Sequence, residues 1–144
     1  MLDKKKSFIS AVVYVCNNSD VIEEFLQKLS ETLKENFEKF EIICVDDASH
    51  DNSAELIKKQ GSQLGSNALS IVKMSCYQGL EAAMHAGVDL SIGDFVFEFD
   101  SAHMDYPQGL IMEVYEKCLS GFDIVAAGTA SNRISSKIFY RVYN

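Results

Sequence analysis

The sequence is notable first for what is scarce: it has no tryptophan, a single proline and only 13 Lys and Arg against 21 Asp and Glu. The resulting net charge of -8 argues against a general nucleic-acid binder, because phosphate neutralisation requires clustered cations. The basic start at residues 4–6 is not followed by a long apolar segment, so neither a signal peptide nor a spanning helix is predicted. The negative net charge does not exclude a small anionic ligand, since backbone donors or a metal ion can bind it.

The sequence also lacks a CxxC pair among its four cysteines, Cys16, Cys44, Cys76 and Cys118. Cys44 and Cys118 fall at apolar positions of a predicted strand and a predicted helix, which favours buried reduced thiols over a disulfide framework or a zinc site. Reduced thiols fit a reducing compartment. We therefore predict a cytoplasmic protein.

A chain of 144 residues with 47% hydrophobic and 24% charged content is typical of one soluble globular domain. Apolar runs alternate with segments of helical period, which predicts the order βαβαβαβαβ. The predicted strands are residues 8–16, 40–45, 68–74, 95–100 and 124–127. This order predicts an α/β fold in which a mainly parallel, Rossmann-like sheet is flanked by helices.

Polar side chains follow three of these strands at the point where each strand ends. Asn17 follows the first strand, the pair Asp46 and Asp47 follows the second, and Asp100 ends the fourth. Carboxyl ends of parallel strands meet at one edge of a sheet, where ligands of open α/β sheets bind. The sequence therefore predicts a polar crevice suited to a nucleotide with a metal-bridged diphosphate; a structural role for the acid pair is the alternative.

The two ends of the chain differ from the rest. Residues 1–7 are predicted to be a flexible basic tail. Residues 130–144 are aromatic and basic with a helical period, which predicts an amphipathic C-terminal helix. This helix either packs on its own domain or docks on a membrane surface or a missing part. Because it stops without a cap, we expect the domain to be partial and to continue beyond Asn144.

Four motifs in order resemble those of a family 2 glycosyltransferase of the GT-A fold, in its nucleotide-binding half. The family's VVIPVYNE corresponds to AVVYVCNN at residues 11–18, and VVDDGSTDGT corresponds to CVDDASHDNS at 44–53. RNxGxxAAxxAG corresponds to CYQGLEAAMHAG at 76–87, and GDYVVFLDADLQDPPE corresponds to GDFVFEFDSAHMDYPQ at 93–108. The resemblance covers nearly the whole chain and identifies residues 1–144 as a single nucleotide-sugar-binding domain.

The resemblance implies a nucleotide pocket at the strand ends, lined by Val13, Tyr14, Asn17, Asp46, Asp47 and Asp100. In it, the backbone around Val13 and Tyr14 lines the nucleoside. Asp47 accepts a hydrogen bond from the base with support from Asp46. Asp100, the first acid of the family's DxD motif, reaches the ribose or the metal and diphosphate.

Residues 132–141 further resemble the branch of dolichyl- and undecaprenyl-phosphate sugar synthases. This implies Arg133 as the contact for an acceptor phosphate, with a surface arginine as the alternative. It also implies membrane proximity through the C-terminal helix or a missing part, at the inner face of the membrane. The catalytic base is expected beyond Asn144, so no catalytic residue is assigned within the chain.

The chain departs from the family at positions that would hold Mg²⁺ or Mn²⁺. The second DxD acid is Ala102, the glutamine expected two residues later is Met104, and the arginine of RNxG is Cys76. Alanine offers no side-chain oxygen to a hard cation. Asp105 could replace the missing acid if its loop bends, or it could cap the next helix.

Three functional hypotheses follow. The leading one is transfer of a hexosyl group from a UDP-sugar to a polysaccharide or a lipid phosphate in cell-surface glycan synthesis. The second is a catalytically impaired nucleotide-binding module of the same fold, suggested by the departures. The third, a response-regulator receiver, is disfavoured because the acid pair follows the second strand instead of the first.

Overall fold

The computed structural model describes residues 3–65 and 68–128, together with the backbone of residues 138–142. Strands and helices alternate along the chain, and one last strand follows β5. The elements are β1 (Lys5–Val15), α1 (Ile22–Asn36), β2 (Phe37–Asp46), α2 (Ser53–Leu64), β3 (Leu69–Lys73), α3 (Leu80–Leu90), β4 (Phe95–Phe99), α4 (Leu110–Leu119), β5 (Ile124–Ala127) and β6 (Ile138–Val142).

The strands form one six-stranded sheet in the order β3-β2-β1-β4-β6-β5. Strand β1 lies between β2 and β4 and is parallel to both, and β2 is parallel to β3. Strand β6 runs antiparallel to its neighbours β4 and β5. The mainly parallel α/β fold predicted from the sequence is confirmed, and the carboxyl ends of β1, β2 and β4 meet at one edge.

Each face of the sheet carries its own hydrophobic core because side chains alternate along β1. Ala11, Val13 and Val15 point into the larger core, which includes buried residues of α1, α2 and α4. Val12 points into the smaller core on the opposite face, together with buried residues of α3. No helix within the described residues is long and apolar enough to cross a membrane.

Two predictions at the chain ends are wrong. The flexible tail predicted for residues 1–7 is strand β1 from Lys5 onward, since Lys5 pairs with Phe37 across the sheet and its ammonium lies 3.5 Å from the Glu116 carboxylate. The helix predicted over residues 130–144 is a strand at residues 138–142, because backbone pairing with β4 and β5 uses these residues. The rest of that predicted helix lies outside the described residues.

The start of the second strand also differs from the prediction. The sequence predicts this strand from residue 40, but β2 already begins at Phe37, whose side chain is buried in the larger core. Before α4, the Pro107 carbonyl accepts a hydrogen bond from the Leu110 amide at 2.9 Å and closes the turn that leads into the helix.

Helix α3 packs directly on the sheet at Gly87. A Cβ added there would lie 2.5 Å from Val12 Cγ1 and 2.7 Å from Val45 Cγ2, both of which are buried side chains of the sheet. Only a glycine fits this contact without displacing either the helix or the strands. The contact fixes the distance between α3 and the strands whose ends form the crevice.

Gly87→Ala is therefore expected to lower the free energy of unfolding by about 1–3 kcal/mol through overpacking. The matched control is Gly61→Ala in α2, where the added Cβ would lie 3.3 Å from the terminal Leu69 Cδ2. The control should be neutral or stabilising by up to about 1 kcal/mol, since alanine is the better helix former. Urea unfolding followed by circular dichroism measures both; equal effects of the two substitutions would contradict the packing argument.

Candidate functional site

The carboxylate of Asp47 lies at the centre of the strand-end edge and is 0% exposed. Its Oδ2 accepts hydrogen bonds from the Tyr14 hydroxyl at 2.8 Å and from the Gly79 amide at 2.9 Å. Its Oδ1 accepts one from the Gln78 amide at 2.8 Å. A buried charge requires such partners, and here they join the end of β1, the end of β2 and the residues preceding α3.

Tyr14 stands on the face of β1 that packs against the smaller core. Burial, the hydrogen bond to Asp47 and nearby acidic groups that include Cys16 and Tyr77 raise the pKa of Tyr14 above its ordinary value. The phenol therefore stays protonated and donates to Asp47 throughout the physiological range. Val13, the preceding residue, has its side chain fully buried in the larger core, so only its backbone can line the crevice.

The loops after β1 and β2 are joined at Asn17. The Asn17 amide donates to Ser49 Oγ at 2.9 Å, and its side-chain Oδ1 accepts from the His50 amide at 2.7 Å. Asn17 and Ala48 both have positive φ, at 54° and 55°, in the left-handed region that L-residues seldom adopt. These turns bring Asn17 and the acid pair to the same edge, as the sequence predicts.

Asp46 is buried beside Asp47 and supports the same turn. Its Oδ1 accepts a hydrogen bond from the Ser49 amide at 3.2 Å, and its backbone carbonyl accepts one from the Met74 amide at 2.9 Å. The second contact links the end of β2 to the residue that follows β3. Asp46 thus acts on the crevice through the backbone of two neighbouring segments.

A second carboxylate network, around Asp51, fixes the start of α2. Asp51 accepts hydrogen bonds from the Ser53 hydroxyl at 2.6 Å, the Ser53 amide at 2.9 Å and the Ser19 amide at 3.0 Å. Burial opposes ionisation, but these bonds outweigh it and hold the pKa of Asp51 below its ordinary range. The sequence does not predict this network, because the partner Ser19 lies on a different loop.

The end of β4 opens onto a cleft of about 350 Å³ beside α3. Glu98 and Asp100 line it from the end of β4, and apolar side chains of α3 together with Glu81 and His85 line the other wall. The two acids are separated by one residue and therefore face the same side of the strand. Asp100 is thus at the same sheet edge as Asn17 and Asp47, on the side covered by α3.

The residues after Asp100 do not form the two-acid metal centre of the DxD motif. Ala102 is 1% exposed and packs in the larger core, while Asp105 and His103 line a separate small pocket against α1. Among the described residues, no three His, Cys, Asp or Glu side chains form a group suited to a metal ion. The donor set at this position does not fit a divalent cation, and Arg133 lies outside the described residues.

Two tyrosines at this edge are not among the site residues predicted from the sequence. Tyr77 is a large side chain that is 68% exposed, and it directly precedes the amides bound by Asp47. Tyr106 has a buried hydroxyl without a hydrogen-bond partner in the described part of the chain. Burial, with the nearby charges of Asp105 and Asp100, raises the pKa of this phenol. The only sequence signal for either was an aromatic residue where the family motif has a different residue.

An α/β domain with a polar crevice at the carboxyl ends of parallel strands is typical of nucleotide-binding folds. The chain belongs to glycosyl transferase family 2, which it matches over residues 10–144. It is 33% identical over 133 residues to the undecaprenyl-phosphate 4-deoxy-4-formamido-L-arabinose transferase of Pseudomonas fluorescens, covering 92% of this chain and 38% of the relative. It is 31% identical over 140 residues to the uncharacterized glycosyltransferase YkcC of Bacillus subtilis, covering 92% and 42%. The chain thus spans about two fifths of these relatives.

Solved structures share the fold. The glucosyl-3-phosphoglycerate synthase of Mycobacterium tuberculosis, in complex with Mn²⁺, UDP-glucose and phosphoglyceric acid, has a TM-score of 0.69 at 16% identity and aligns with 88% of this chain and 45% of its own. The mannosyltransferase PcManGT of Pyrobaculum calidifontis, in complex with GDP-mannose and Mn²⁺, has a TM-score of 0.59 at 22% identity, covering 65% and 27%. The GT-A-type fold expected from the sequence is confirmed.

Asp47→Asn tests the network around the buried carboxylate. An amide has one oxygen, so its NH₂ group would face at least one of the backbone donors, and a buried donor left unpaired costs free energy. We expect the free energy of unfolding to fall by at least about 2 kcal/mol. The control is Asp89→Asn on the exposed side of α3, which should change it by less than about 0.5 kcal/mol. Similar losses for both variants in urea unfolding would contradict the anchoring role.

Proposed function

We propose that this protein takes part in hexosyl transfer from a nucleotide sugar, a UDP-sugar, to a polysaccharide or lipid-phosphate acceptor in cell-surface glycan synthesis. The observation that carries the proposal is the crevice at the ends of β1, β2 and β4, where Asn17, Asp47 and Asp100 converge. Membership of glycosyl transferase family 2 supports it. Because the chain spans only part of its relatives, transfer is proposed for the protein as a whole.

The described residues suit the donor half of such a reaction. Asn17 is exposed at the rim, and its side-chain NH₂ group is the proposed donor to the edge of a base, while Asp47 holds the loop beneath the base. Asp100, in the cleft beside α3, is positioned to accept hydrogen bonds from ribose hydroxyls.

The chemical step is proposed to use groups outside this region. In an inverting transfer, a carboxylate base removes the proton of the acceptor hydroxyl as its oxygen attacks the sugar carbon and the nucleoside diphosphate leaves. A phosphate acceptor is already ionised and needs less help from a base. The base is proposed to lie beyond Asn144, so this chain is expected to bind the donor better than it turns it over.

A lipid-phosphate acceptor is the finer form of the proposal. It is supported by relatives named undecaprenyl-phosphate sugar transferases, which span several bacteria. Such an acceptor would require action at the inner face of the membrane, from the cytoplasmic side, with Arg133 as the proposed contact for the acceptor phosphate.

The burial of Ala102 favours a second candidate function, a nucleotide-binding module with impaired transfer. A side chain that packs in the core is not exchanged for a metal ligand by a small movement. This candidate shares the donor site with the first but predicts that nucleotide binding does not depend on a metal. It also predicts no sugar transfer by the complete protein.

Isothermal titration with UDP tests the shared donor site. We expect saturable binding that Asp100→Asn weakens by at least about tenfold, the effect of one hydrogen bond to a charged group. The control is again Asp89→Asn, which should bind like the wild type. Titration with and without Mn²⁺ separates the two candidates, since only the first allows metal-dependent affinity. Absence of UDP binding by the wild-type protein would refute the donor site itself.

Ala102→Asp tests whether this position is still available to a metal. Because Ala102 is buried in the larger core, a carboxylate there should lower the free energy of unfolding by at least about 2 kcal/mol. His103→Asp, at the exposed neighbouring position, is the control and should leave stability nearly unchanged. A stable Ala102→Asp protein with newly Mn²⁺-dependent UDP binding would show that the loop can present a second acid.

A further inference from the structure

The side chain of Tyr77 forms an exposed aromatic surface at the rim of the crevice. Large apolar side chains are exposed at two places in the described part of the chain. Most lie near the amino edge of the sheet, after α3 or around the end of α4: Leu90, Ile92, Leu119, Phe122 and Ile124. Tyr77 and Leu80 lie at the opposite edge, where the strands end, and Tyr77 is the aromatic one of the two.

The backbone that carries Tyr77 is held in place. The two residues that follow it donate their amides to the Asp47 carboxylate at 2.8 Å and 2.9 Å, so the ring projects from an anchored segment. The phenol of Tyr77 is also close enough to Tyr14 to contribute to the raised pKa of that residue, after burial and the hydrogen bond to Asp47. Tyr77 therefore lies beside the carboxylate network at the strand-end edge.

We propose that Tyr77 is the platform on which the base of the nucleotide donor stacks, an inference that rests on the proposed function. An exposed aromatic ring loses water without loss of hydrogen bonds when a flat base covers it, and base stacking on such rings is a recurrent source of affinity. Every base has a π-face, so the platform supplies affinity. Discrimination among bases then depends on hydrogen-bonding groups at the rim, and Asn17 is an exposed candidate at the same edge.

The hydroxyl of Tyr77 has no part in stacking, so Tyr77→Phe should bind UDP like the wild type. Tyr77→Ala removes the ring and should weaken UDP binding about tenfold or more, as measured by isothermal titration. Since the side chain is mostly exposed, thermal unfolding of both variants should match the wild type within about 2 °C. The two measurements therefore distinguish a role of Tyr77 in stacking from a role in folding.

The absence of tryptophan from the chain allows a direct optical test. Tyr77→Trp introduces the sole indole, whose fluorescence should be quenched by UDP and by uridine but not by ribose 5-phosphate. Phe122→Trp, a partly exposed aromatic position near the opposite edge of the sheet, is the matched control and should not respond. The quenching midpoint should agree with the dissociation constant that titration gives for Tyr77→Trp.

The outcomes separate the inference from the function on which it rests. If the wild type binds UDP but Tyr77→Ala binds equally well, or if the indole fluorescence of Tyr77→Trp does not respond at saturation, the stacking role is overturned and the donor site stands. If the wild type does not bind UDP, the proposed function fails and the inference fails with it. Quenching by ribose 5-phosphate alone would also overturn it, because the ring would then be sensing the sugar phosphate.

Discussion

The crevice depends on one buried charge, the carboxylate of Asp47. Removing a carboxylate from water is costly unless hydrogen bonds replace those of the solvent, and here Tyr14, Gln78 and Gly79 supply three. These donors belong to separate segments. Because the Asp47 carboxylate needs all three hydrogen bonds, it holds the ends of β1 and β2 and the residues before α3 together. Tyr77 directly precedes two of these donors, and Asn17 is held at the same edge by its own hydrogen bonds to Ser49 and His50.

The residues at and after the end of β4 lie on opposite faces of the sheet. Glu98 and Asp100 face the cleft beside α3, whereas Ala102, two residues beyond Asp100, packs in the core on the face covered by α1. The proposed contacts to the nucleoside therefore lie on the α3 side. At the position of the second DxD acid, an apolar core contact replaces the carboxylate, so the Ala102 side chain offers no oxygen to a metal ion.

The sequence was informative where the signal is local. Apolar runs that end in Asp46, Asp47 and Asp100 predicted both the strands and the edge at which these acids lie, since strand direction follows from the βα alternation. It was not informative about contacts between distant residues: Tyr14 and Asp47 are separated by 33 positions, and Gln78 and Asp47 by 31. Strand β6 was mistaken for a helix for the same reason, because its pairing with β4 and β5 is non-local.

Amide hydrogen exchange at Gln78 and Gly79 tests the central claim most directly. Both residues precede α3, where the first amides of a helix have no partner within the helix, so the Asp47 carboxylate is the acceptor that accounts for protection in the described part of the chain. The account predicts slow exchange at both amides in the wild-type protein and exchange at least about tenfold faster in Asp47→Asn. Exchange of both wild-type amides at the rate of an unstructured loop would contradict it.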